Sequence, residues 1–396
     1  MTILNALYIS RRPVAAFLVV GVFWGCFAAL VPVYKANLGV NDAVFGTLLL
    51  GSALGLVSSM FLAPRADKIL GANSMRFGIV ALSLAWFLPA QATVPAIFGL
   101  LMGAVGMASG LLDVVMNARV SELEAKYDKP LMNANHAMFS VAYGVAALIT
   151  GFAREGGITP TFIIAGFSCF CILLVPFMRM DVAVIDADEE ANAAKYPLWP
   201  IAICGLITLS AFMTEATVEA WSALHIERTI GGGAKEGALG PAMLGFTMAF
   251  GRFSGQAVSE RLSDMTVVIG GSLIAASGAL LAALAVTPLM AQIGFGIFGL
   301  GVSVIGPIGI SMVGHLVQPH LRTEAISRVA VIGFSGFFFA PMMIGLVSEA
   351  FGLRTAFLCM AGVILCAVPL VLIAARLPKV GASSVRPKRR QPLPLN

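Results

Sequence analysis

Residues 265–321 contain no Asp, Glu, Lys or Arg. Drawn out as one α-helix at 1.5 Å per residue, that run would be about 85 Å long. The hydrocarbon core of a bilayer is about 30 Å thick. Such a segment can neither sit in water nor cross a membrane once, so it must turn back, and Thr287-Pro288 is the place where a helix would break. The rest of the chain follows suit, with 59% hydrophobic and 11% charged residues, against about 25% charged in soluble proteins. A water-soluble enzyme, a disordered chain and a disulfide scaffold are excluded. The apolar runs are continuous, not alternating, which excludes a membrane β-barrel.

The same reasoning breaks residues 77–112 between Pro89 and Pro95. The chain is then an all-α integral membrane protein of twelve transmembrane helices, near 13–35, 42–64, 74–91, 95–119, 131–154, 158–179, 198–225, 238–261, 266–286, 289–316, 324–349 and 353–376. The first run, from Pro13, is long enough to stay in the membrane and does not read as a cleaved signal peptide. With both termini in the cytoplasm, eighteen of the 25 Lys and Arg fall on inner segments, five outside and two within spans. That asymmetry is the positive-inside rule. The basic tail, Arg386 to Arg390, reads as a retention signal for this orientation. Four of five tyrosines sit at span ends, and Tyr143 is the exception. The six cysteines lie in apolar runs without metal-ligand spacing, so neither metal nor disulfide is expected.

The acidic stretch 180–197 divides the chain. It reads as a cytoplasmic linker between a six-helix bundle over 1–179 and a second over 198–377, with a basic tail over 378–396. A faint repeat supports two pseudo-symmetric bundles: Thr47-x3-Gly51-x3-Gly55 recurs as Thr247-x3-Gly251-x3-Gly255, and Gly99 and Gly106 match Gly294 and Gly301. Small residues at this spacing let membrane helices approach closely. Two halves around a midplane site is a transporter architecture.

Only three acids lie well inside spans: Asp113, Glu215 and Glu219. A charge at that depth costs several kcal/mol unless it faces water, pairs with a cation or takes up a proton. Asp113 and Asn117 share one helix face at i,i+4. Glu215, Glu219 and Ser222 share another, and Asn133, His136, Ser140 and Tyr143 form a third polar stripe. The three stripes can converge on one cavity. Asp113, Glu215 and Glu219 are candidate proton-coupling residues. Substrate-binding candidates are Trp24, Asn117, Asn133, His136, Ser140, Tyr143, Glu215, Glu219 and Trp221. Trp24 could stack on a ring or simply pack, and Glu219 could be wet. Trp221 lies well around its helix from Glu219. Asp113 could instead pair structurally with Arg252 or Arg119. Arg252 reads as a structural charge partner. Arg328 would snorkel to the inner surface, and His225, His315 and His320 read as structural.

Six plus six spans with a long central loop resembles the major facilitator superfamily. Ala63-Pro64-Arg65-Ala66-Asp67-Lys68-Ile69-Leu70-Gly71 resembles, in degraded form, the superfamily's G-x-x-x-D-R-x-G-R-R loop after span two. That resemblance implies a gating loop carrying Arg65, Asp67 and Lys68. Leu112-Asp113-Val114-Val115-Met116-Asn117, then Pro130-Leu131-Met132-Asn133-Ala134-Asn135-His136, is similar to the fucose-permease-like and YbjJ-like branch, which includes the rhizopine-locus membrane protein MosC. Glu215-Ala216-Thr217-Val218-Glu219-Ala220-Trp221-Ser222-Ala223-Leu224 is similar to that branch's E-G-A-x-x-D-W-S-A-L segment, with Ala220 at the Asp position. Gly251-Arg252 also fits.

The resemblance implies a bacterial inner-membrane, multi-pass carrier of a sugar, polyol or cyclitol-like solute. It would work by alternating access, coupled to protons, as a monomer with no cofactor and no nucleic acid. The alternative is a proton-antiport exporter of an amine or amphipathic compound. No P-loop, HExxH or GxSxG is present, so neither ATP-driven transport nor an enzyme is expected.

Overall fold

A computed structural model describes residues 2–180, 198–259, 261–318 and 321–377. The linker from 181, His320 and the basic tail lie outside the described residues. Every described element is helical. A short helix α1 (Ile3–Ile9) precedes α2 (Arg11–Leu38), α3 (Asp42–Leu70), α4 (Ser74–Ala85), α5 (Pro95–Tyr127), α6 (Met132–Glu155) and α7 (Pro160–Leu174). After the linker come α8 (Leu198–Leu224), α9 (Ala234–Ser259), α10 (Asp264–Ala283), α11 (Pro288–Val302), α12 (Ile305–Leu316), α13 (Arg322–Leu365) and α14 (Ala367–Arg376).

Nine helical stretches among the described residues are long and apolar enough to cross a membrane. Two of them, Asp42–Gln91 and Glu324–Arg376, span 50 and 53 residues, too long for one pass at 1.5 Å per residue. Each is interrupted by a glycine at positive φ, Gly71 at 54° and Gly352 at 83°. A side chain there would be strained, so glycine sets the reversal. At Thr287-Pro288, Thr287 is the N-cap of α11 and accepts from Met290 N–H at 3.3 Å, with Pro288 at the first helical position. Proline fits there because its missing N–H would have no partner anyway.

The helix ends depart from the expected ones for a shared reason. Helix α3 runs through Pro64 to Leu70, so Arg65, Asp67 and Lys68 lie on the last helical turns and not in a loop. Helix α5 continues two turns past Arg119. Arg119 is 2% exposed; its Nη2 donates to Asp67 at 2.6 Å and its Nη1 to Glu122 at 2.6 Å. A buried guanidinium needs its donors filled. Extending both helices brings the acids to it, which offsets the hydrogen bond lost at Pro64. Beyond Leu224, the chain continues as a π-helix, His225–Ile230, closed by Gly231 at φ 86°.

Packing relies on small residues. A Cβ on Gly51 would collide with the Gly99 carbonyl, and one on Gly55 with the Gly103 carbonyl, so α3 and α5 touch backbone to backbone. The corresponding pair α9 and α11 is tight at Gly251, which faces Ser303, and at Gly299, which faces Thr247. Gly294 and Gly301, matched in the repeat to Gly99 and Gly106, press against α10 at Gly278 and Gly271. The helices before the linker meet those after it mainly along two seams, α6 with α9 and α3 with α13, with α2 also touching α8 and α9. On the first, Gly245 abuts the Ser140 carbonyl; on the second, Gly46 abuts the Pro341 carbonyl.

Candidate functional site

A cavity of about 470 Å³ opens between the two chain halves. Helices α2, α3, α5 and α6 supply one wall; α8, α9, α12 and α13, with Val302 and Ser303, supply the other. Seven of the residues singled out in the sequence line it: Trp24, Asp113, Asn133, His136, Tyr143, Glu215 and Glu219, and Arg252 joins them. Each of the three polar stripes therefore reaches the cavity, although Asn117, Ser140 and Ser222 do not line it. The reason is helical phase, since residues three, four and seven apart stand over one another on one face.

Within the cavity the charges are unequally served. Arg252 Nη2 donates to Glu215 Oε1 at 3.2 Å within the second half. Arg252 Nη1 reaches across to the first half, donating to Ser140 Oγ at 2.5 Å and to the His136 carbonyl at 3.4 Å. The sequence reading of Arg252 as a charge partner thus takes a definite form, with Glu215 and not Asp113 as its acid. Asp113 receives only the Asn117 side-chain amide, at 3.2 Å, from one turn along its own helix. Glu219 has no hydrogen-bond or ion-pair partner among the described residues. Trp24 Nε1 donates to Ser109 Oγ at 3.0 Å, which fixes the indole over the cavity wall. His136 stands edge-on to Phe17 at 4.9 Å between ring centroids.

Three expected binding residues are placed differently. Trp221 is fully buried and packs edge-on against Phe45 at 6.0 Å, away from the cavity lining. It points where i+2 from Glu219 must point, around the helix. Ser140 lies behind the wall and meets the site through Arg252. Asn117 does not line the cavity and meets it through Asp113. Neither His225 nor His315 lines the cavity. His225 Nε2 lies 3.0 Å from the Ala282 carbonyl, and His315 is an exposed side chain 3.9 Å from Asp264.

The cavity is lopsided along the membrane normal. At the end that carries Ser10, Gly71 and Asp128, here the basal end, it reaches Asn133, an exposed residue in the first turn of α6. At the opposite, distal end, no residue between Leu30 and Leu38 or after Tyr143 on α6 lines it. There a layer of ion pairs joins the halves. Asp42, 3% exposed at the start of α3, accepts from Arg228 Nη1 at 2.6 Å and Nη2 at 2.5 Å, and Lys35 Nζ lies 3.0 Å away. Ser348 Oγ also donates to Asp42. Asp42 N–H donates to Glu349 Oε2 at 2.9 Å. Arg154 holds Glu227 with two bonds of 2.7 and 2.8 Å, and Lys235 N–H donates to Glu155 at 3.3 Å. Sequence reasoning missed this layer. Its residues sit at span ends, where charges are ordinary, and the partners are 186 and 73 positions apart.

The chain matches the Major Facilitator Superfamily profile over residues 14–298 and 204–396. It belongs to that superfamily. Superfamily members are membrane transporters, not enzymes, in agreement with the helical fold and the enclosed cavity. An uncharacterised transporter of the superfamily from Yersinia pestis is 28% identical over 356 residues, covering 87% of this chain and 90% of that one. Membrane protein MosC of Rhizobium meliloti is 26% identical over 349 residues, covering 86% and 84%. Among solved structures, a bacterial homologue of the human lysosomal transporter Spinster, in an inward-facing and unoccupied conformation, superposes with a TM-score of 0.75. That superposition spans 94% of this chain and 97% of the other at 15% identity, a likeness of fold alone.

Proposed function

We propose that this major facilitator is a proton-coupled secondary active carrier of a small polar organic solute, of the sugar, polyol or cyclitol kind. The solute binds in the cavity and is carried by alternating access. The observation that supports this most is the set of three membrane-depth carboxylates, Asp113, Glu215 and Glu219, on one cavity between the halves. A carboxyl that binds a proton there can pass through an occluded, dry state without the cost of an unpaired charge. Trp24 offers a ring face for stacking, and Asn133 and His136 offer hydrogen bonds near the mouth.

In this reading the chain crosses the membrane twelve times, with bundles over 1–179 and 198–377. Gly71 and Gly352 divide the two over-long stretches, and α9 supplies a further crossing. The charge bias supports reading the basal end, both termini and the linker as cytoplasmic in a bacterial inner membrane. The cavity, wet at the basal end and sealed beneath the distal ion pairs, then belongs to an inward-open state. One copy suffices, because both cavity walls come from one chain.

The test is solute-driven proton movement in proteoliposomes, followed with an internal pH dye across a panel of sugars, polyols and cyclitols. Asp113→Asn is expected to abolish proton movement while leaving solute-induced thermal stabilisation in place. Uptake with unchanged pH dependence in Asp113→Asn would remove that residue from the mechanism. Glu215→Gln is expected to weaken binding, because Arg252 would lose its acid.

A further inference from the structure

We infer that the solute's polar head is a protonated amine, held at the cavity wall where Glu219 of the second half and Tyr143 of the first converge. The inference rests on the reading of this cavity as the carrier's solute site, and deepens it by naming the charge of what binds.

Four charged side chains line the cavity, three carboxylates and one guanidinium. Both terminal nitrogens of that guanidinium are occupied, one by Glu215 and the other by Ser140 and the His136 carbonyl. An anionic head would therefore meet a guanidinium already paired with Glu215, and two carboxylates, Asp113 and Glu219, that have no ion pair among the described residues. A cationic head meets those two carboxylates, with Arg252 nearby already paired to Glu215. Glu219 has room for a charge-assisted hydrogen bond that no described residue supplies.

A second, independent feature points to the same spot. The Tyr143 hydroxyl is buried, with Tyr143 only 2% exposed, and has no hydrogen-bond partner. Buried hydroxyls are normally bonded, so an orphan asks for a missing partner. Tyr143 and Glu219 line the cavity together and also share the narrow recess beneath it. An ammonium has three donors and can serve a carboxylate and a phenol oxygen at once as the walls close on it. The walls suit the rest of such a molecule. Phe212, Phe334 and Phe337 form an aromatic cluster, with centroids 5.0 and 5.4 Å from Phe212, and Trp24 lines the same cavity from the other half. Aromatic faces attract cations and bury ring carbons. Sugar hydroxyls can donate to these carboxylates, but only an amine-bearing ring brings a positive charge to set against theirs.

The experiment is binding to the purified full-length protein by calorimetry, with matched sets that differ only in the head. One set is cyclohexylamine, cyclohexanol and cyclohexanecarboxylate; the other is glucosamine, glucose and glucuronate. In at least one set the amine is expected to bind ten-fold or more tighter than its hydroxyl counterpart, and the carboxylate not at all. Glu219→Gln should erase the amine preference, so that within this variant the amine binds no tighter than its hydroxyl counterpart. Glu219→Asp should keep the preference, which shows that charge and not folding is at issue. Tyr143→Phe should weaken the amine a few-fold. Hydroxyl compounds binding as well as amines, no amine binding in either set, or a preference that survives Glu219→Gln would each overturn the inference. Selectivity is read without any proton gradient, so amine preference without coupled proton movement would overturn the carrier's proton coupling alone.

Discussion

The two ends of the molecule hold their charges differently. At the distal end, Asp42, Arg154, Glu155, Arg228 and Glu349 bond across the two chain halves. At the basal end, the described ion pairs stay within one half: Arg119 with Asp67 and Glu122, Arg328 with Glu324, and His315 near Asp264. Charges within a half brace helices that move together. In the proposed carrier, charges across the halves would bias whether the halves are closed. The same residue types therefore serve rigidity at one end and state at the other.

The difference can be broken in steps. Asp42→Ala has the largest expected effect, because it leaves Arg228 and Lys35 without their shared acid. Arg228 is 41% exposed, so water weakens that pair, but the bonds to Arg228, Lys35 and Ser348 lost together cost about 3 kcal/mol, roughly a hundred-fold shift toward a distal-open state, read as labelling of a cysteine at Ala28. Arg154→Gln breaks the two-bond contact to Glu227, worth about 2 kcal/mol for a charge-assisted pair, and should shift the same readout roughly thirty-fold. Ser140→Ala removes one bond from Arg252 to the first half and keeps Glu215. A shift of about 1 kcal/mol, roughly five-fold, is expected in the rate of opening seen by stopped-flow fluorescence. His315→Ala, at an exposed contact of 3.9 Å within one half, should change none of these readouts. A distal-end response to His315→Ala as large as that to Asp42→Ala would dissolve the distinction between the ends.

Much of the fold was legible because the bilayer dictates length and polarity. The uncharged run 265–321 had to turn, and it turns at the proline that ends it as a single helix. The cavity residues were legible because an acid at membrane depth is costly, so Asp113, Glu215 and Glu219 stood out, and helical spacing brought Asn133, His136 and Tyr143 with them. Trp221 shows the limit of neighbourhood in sequence. It is two residues from Glu219, yet packs on Phe45. Arg65, Asp67 and Lys68 show the limit of motif resemblance, because the segment read as a loop is helix, drawn out by a buried arginine 52 residues away. The distal layer was illegible for another reason. Charges at span ends are cheap, so Asp42 and Arg228 gave no signal until the fold put them 2.5 Å apart.

The central claim is that one end closes as the other opens. It is tested most directly by spin-label distances between the halves in a cysteine-free protein. A distal pair at Asn37 and Ala350 and a basal pair at Lys126 and His315 use exposed positions. The account predicts a short, narrow distal distance and a longer basal one without solute. In Asp42→Ala, or with solute and a low external pH, the distal distance should lengthen and the basal one shorten in the same sample. Two distances that stay fixed, or that lengthen together, would contradict it.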